Sequence, residues 1–99
     1  MQLDNLFQRI QGYAAAFATK NDLGEMTFAE DNGAYALVRP SGRRLGTLAY
    51  RDDGRLRVVT SAVESGMMML WPLAGGLATE TDLKSAVEWL MDTAKTLPP

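Results

Sequence analysis

Three turn signals about ten residues apart constrain this chain more than any other feature. Asp31-Asn32-Gly33, Pro40-Ser41-Gly42-Arg43 and Asp52-Asp53-Gly54 separate four short runs of mixed apolar and polar residues. Asn-Gly between two such runs marks a tight hairpin, because both residues tolerate a positive φ. Proline presets φ in the second turn, and the glycine that follows permits a left-handed residue. Such short turns join antiparallel neighbours. The middle of the chain therefore reads as an antiparallel meander with strands at 25–30, 34–39, 44–51 and 55–61.

Residues 62–66 are open to reading as strand, bulge or turn. The next five residues, Met67, Met68, Met69, Leu70 and Trp71, have no polar residue among them. A half-exposed strand would alternate and a loop would be polar, so this run is either buried on both faces or held out for a partner. By length it is a fifth strand, ended by Pro72 and followed by a flexible Gly75-Gly76. In a strand, Met67, Met69 and Trp71 face one way and Met68 and Leu70 the other. The neighbouring strands carry apolar or small residues at both parities, so the pattern leaves open which set faces outward.

Two helices flank the meander. Leu3, Leu6, Phe7, Ile10, Ala14 and Phe17 form one stripe over 3–19, with Asp4 as its N-terminal acid and Asn21 or Gly24 as its left-handed stop. Leu83, Ala86, Val87, Leu90, Ala94 and Leu97 form another over 80–96, with Met91 at its flank and Pro98-Pro99 beyond. Thr79 and Asp82 have the spacing of a capping box. Single-striped helices need a sheet face to bury them. The expected fold is one domain over 1–99, a two-layer α+β sandwich with both helices on one face of four to five strands.

Composition narrows the chemistry. The chain has 99 residues, no Cys and no His. Disulfides, thiolate metal sites and triads built on histidine are thereby excluded from this chain. Carboxylates, Lys and Tyr remain, without a catalytic motif, so the expectation is a non-enzymatic protein without a cofactor or metal. No apolar run approaches the length of a membrane span, and the N-terminus lacks the pattern of a secretory signal, so the expected location is cytoplasmic.

Charge is unevenly placed. Six of the seven Arg lie between 39 and 57: Arg39, Arg43, Arg44, Arg51, Arg55 and Arg57. Two Asp oppose them, leaving that window at +4 and the remainder at −6, for a net of −2. A basic hairpin on an acidic body can fit an anion or an acidic protein surface, but reads first as Arg that keeps a sheet soluble at its edges. A sequence pI of about 5.0 argues against a dedicated nucleic-acid binder. The acidic pairs beside the turn glycines lack the spacing of a calcium loop.

Trp89 falls about 120° from the centre of its helix's stripe, near Ser85, Thr93 and Thr96. A Trp there packs on the end of the sheet or joins an interface. The helix–meander–helix layout resembles small secretion chaperones, and suits an inhibitor or accessory protein equally. The leading expectation is a protein-interaction domain that self-associates through an apolar sheet face, using Met67, Met68, Met69, Leu70, Trp71 and Trp89. The alternative is an anion- or nucleic-acid-binding module built on the six Arg.

Overall fold

The computed structural model describes residues 4–51, 53–60, 67–71 and 76–97, with 67–70 described by backbone alone. The elements are α1 (Leu6–Asn21), β1 (Thr27–Asp31), β2 (Ala34–Val38), β3 (Arg44–Tyr50), β4 (Leu56–Thr60), β5 (Met67–Leu70) and α2 (Glu80–Ala94). The five strands form one sheet in the order β1-β2-β3-β4-β5, each pair antiparallel. This is the expected two-layer α+β fold, with an added β-bulge between β2 and β3.

The turns explain the meander. Asn32 and Gly33 take φ 50 and 80, which makes a two-residue loop whose twist matches the flanking strands. The next two loops share one design. Arg39 N–H donates to Arg43 O at 3.0 Å while Gly42 N–H donates to Arg39 O at 2.8 Å. Arg51, Arg55 and Gly54 repeat the pattern at 2.7 and 2.9 Å. Each is a turn closed by a left-handed glycine, with Arg on both sides, and the two lie at opposite ends of β3.

Helix ends depart from expectation at α1. Its N-cap is Asn5, left-handed with no side-chain capping bond, and Asp4 lies outside the helix. Its stop is Asp22 at φ 52, whereas Asn21 stays helical and Gly24 follows at φ 77. At α2 the capping box is complete: Asp82 N–H donates to Thr79 Oγ1 at 3.2 Å, and Thr79 N–H donates to Asp82 Oδ2 at 2.9 Å. Leu3, residues 62–66, Pro72, Gly75, Asp52 and Pro98-Pro99 lie outside the described residues.

The core lies between the sheet and the helices. Phe28, Leu37, Leu45, Leu48, Leu56 and Val58 meet Ile10 and Ala14 of α1 and Leu83, Val87 and Leu90 of α2. Met91, expected at a flank, is fully buried because α2 packs on α1 as well as on β3 and β4. Leu45 is the bulge's extra residue, and it too is fully buried.

Tyr35 stacks on Phe7 at 5.5 Å, and burial, then the cross-strand carboxylate of Glu30, raise its pKa above the usual 10.0. The folded state therefore holds the phenol's proton where the unfolded chain releases it. Stability from this source is full below about pH 10 and declines as pH rises toward the folded value. Urea titrations between about pH 9 and 11 should show a shallower alkaline decline in Tyr35→Phe than in wild type.

Candidate functional site

Strand alternation and register sort every sheet residue to one of two faces. Leu56, Val58 and Thr60 are buried toward the helices, so Arg57 and Val59 lie on the outer face. The register sets Val58 against Met69 and Thr60 against Met67, and sets Val59 against Met68 and Arg57 against Leu70. Positions 67 and 69 thus share the helix face, and positions 68 and 70 share the outer face. The parity that the sequence leaves open is decided by the pairing with β4. The side chains of Met67, Met68, Met69 and Leu70 themselves lie outside the described residues.

Across the sheet the outer face continues as Thr47 and Ala49 on β3, Ala34, Ala36 and Val38 on β2, and Thr27 and Ala29 on β1. These are small or β-branched residues, and the helices pack on the opposite face. Ala36 is nevertheless only 2% exposed. An ion pair spans the same face. Arg44 at the start of β3 donates from a guanidinium nitrogen to Asp31 Oδ2 at the end of β1, at 2.6 Å. By register, Ala36 on the intervening strand lies on the diagonal between them. Toward β5 the outer face carries Thr47, Ala49, Arg57 and Val59, each half-buried, together with positions 68 and 70.

The two Trp meet each other. Trp71 and Trp89 pack edge to face at 5.7 Å, both half-buried against the core. Trp89 thus sits at the β5 side of the sandwich, and Thr93 Oγ1 donates to its carbonyl at 2.6 Å. A T-shaped pair of this kind contributes about 0.5–1.5 kcal/mol beyond area burial.

The six Arg of the middle segment do not converge. Arg39, Arg43 and Arg44 stand at one end of β3, and Arg51 and Arg55 at the other, with Arg57 on β4 opposite Ala49 beside that second end. Arg44 is held by Asp31, and Arg55 lies 3.9 Å from Asp53. A hollow of about 410 Å³ beside Ala49, Tyr50 and Arg51 also takes Asp53 into its wall, a carboxylate that disfavours an anion there. No group of three or more acidic residues that could hold a metal occurs among the described residues. None of the described helices is long and apolar enough to cross a membrane.

One cluster has no sequence signal. Arg9 and Tyr13, one turn apart on α1, both bind Glu80 at the first position of α2: Arg9 Nη1 pairs with Oε1, and Tyr13 Oη donates to Oε2 at 2.6 Å. The three residues tie the helices together across 71 positions of sequence. Arg9 and Tyr13 are half-buried and Glu80 is exposed.

No family model, curated protein or solved structure matches this chain.

Proposed function

We propose that this protein is a non-enzymatic interaction domain that associates with a second copy of itself through the β3–β5 part of its outer sheet face. The observation that carries the reading is the β4–β5 register. It aligns Met68 and Leu70 with Val59 and Arg57 on the face turned away from both helices. Thr47 and Ala49 extend that surface with short side chains, so another sheet can approach to the usual spacing of about 10 Å. A flat, low-relief face is self-complementary, as a two-fold interface requires. Methionine adds a side chain that adapts to the facing surface.

Size sets the expected strength. Three strands about 4.8 Å apart and five residues long give a footprint of about 250 Å². Stable interfaces bury about 800 Å² per partner. The expected dimer is therefore weak and concentration-dependent.

Sedimentation velocity over a wide range of protein concentration tests this. The expected result is a monomer–dimer equilibrium that Val59→Asp shifts to monomer while far-ultraviolet circular dichroism stays unchanged. Ala49→Asp is the second variant, should Val59→Asp perturb folding. A monomer at every concentration, or a dimer indifferent to both substitutions, overturns the reading.

A further inference from the structure

The other edge of the sheet carries a second surface, independent of the first. β1 is an edge strand, Thr27–Asp31, and it has no proline, no lysine and no bulge. These are among the usual devices that keep an edge from pairing, and the charges β1 does carry are the carboxylates of Glu30 and Asp31. Thr27, Ala29 and Glu30 are exposed.

Its one backbone cover among the described residues is borrowed from α1. Gln11 Nε2 donates to Phe28 O at 2.9 Å. An incoming strand would place a backbone N–H at that oxygen, and the carboxamide stands in for it. The bond also fixes the strand's phase: Phe28 and Glu30 turn their backbone groups outward, and Thr27, Ala29 and Asp31 turn theirs toward β2.

A groove runs beside this edge. A hollow of about 170 Å³ is walled by Gln11 and Phe28, and one of about 400 Å³ by Ala18 and Pro40. The two share Ala15, Met26 and Thr27. The short side chains of α1 keep the groove open, so alternate side chains of an added strand have room against the helix.

Charge selects the occupant. Among the described residues that wall the two hollows Glu25 alone is charged, and Glu30 is exposed on the edge strand. Asp31 is already held by Arg44. Antiparallel pairing of two β1 edges would bring Glu30 and Asp31 of one copy toward Glu25 of the other, a like-charge arrangement that disfavours self-pairing. We propose that the β1 edge and its groove bind an extended, basic peptide segment by strand addition, with Gln11 displaced from Phe28 O.

The test is selection from a random-peptide display library on the wild-type protein, with counter-selection on Ala15→Trp, which fills the groove from an exposed position. Enriched peptides are then synthesised and titrated into ¹⁵N-labelled protein. The expected peptides are net positive and extended, shift the amides of Met26 to Glu30, and bind more weakly as salt rises. Ala15→Trp should weaken them at least about tenfold. Glu30→Pro should do the same, because it removes an outward N–H and leaves the pairing with β2 intact. Glu25→Lys gives a third reading by charge alone. No enrichment over the counter-selection overturns the proposal. So do shifts mapping away from β1, acidic or helical winners, affinity indifferent to all three variants, or a dimer that Glu30→Pro abolishes. Val59→Asp should leave peptide binding unchanged, which separates this surface from the outer face.

Discussion

Leu90→Ala is expected to lower the unfolding free energy by about 2–5 kcal/mol, a large share of the 5–15 kcal/mol that holds a domain of this size. Leu90 is 1% exposed on the face of α2 that meets the sheet, and truncation there leaves a cavity that two rigid layers cannot collapse. The same position explains Gly46. A Cβ at residue 46 would sit 3.1 Å from Leu90 Cδ2 and 2.7 Å from Val59 O on the neighbouring strand. Gly46→Ala is therefore expected to destabilise by about 1–3 kcal/mol, despite the entropy that alanine removes from the unfolded chain. In the double variant the leucine contact is relieved and the Val59 carbonyl contact is not. The combined loss should be smaller than the sum of the single losses, yet larger than that of Leu90→Ala alone. Urea unfolding followed by circular dichroism measures all three. A neutral Gly46→Ala would mean that β3 and β4 are not held at this separation.

What was legible in the sequence follows from the range of the forces involved. The turns were readable because Asn32-Gly33 and the glycine-closed loops act within four or five residues. The helix stripes were readable because α1 and α2 each bury a continuous face. The phase of β5 was not, since Met67 to Leu70 look alike at both parities and only pairing with Val58 and Val59 distinguishes them. Met91 was misplaced for a related reason: a stripe drawn for a helix on a sheet is too narrow for one that also packs on a second helix. Asn5 displaced Asp4 as the cap because a left-handed residue, rather than a capping carboxylate, starts α1. The Arg44–Asp31 pair and the Glu80 cluster span 13 and 71 positions, where no local pattern points. For the candidate site, the sequence raised the expectation of a surplus apolar sheet face. The fold showed which positions share the outer face, and that the Arg grouped in sequence separate to opposite ends of one strand.

Glu80→Ala is expected to destabilise by about 1–2 kcal/mol, although its side chain is 45% exposed. An isolated surface ion pair would contribute well under half of that. Three effects act together here. The carboxylate faces the positive end of α2, worth about 0.3–1 kcal/mol. It accepts from Tyr13 at 2.6 Å, a short bond to a charged acceptor. It also pairs with Arg9 from the adjacent turn of the same helix. Glu80→Gln retains an acceptor for Tyr13 and loses the charge, so about half the loss should return. At about 4–8 °C per kcal/mol, the alanine variant should melt about 5–15 °C below wild type. The order Ala below Gln below wild type, with the gaps narrowing as salt rises, identifies an electrostatic clamp between the two helix starts. Equal melting of all three would reduce the cluster to surface decoration, and α2 would then be held by its capping box and its buried face alone.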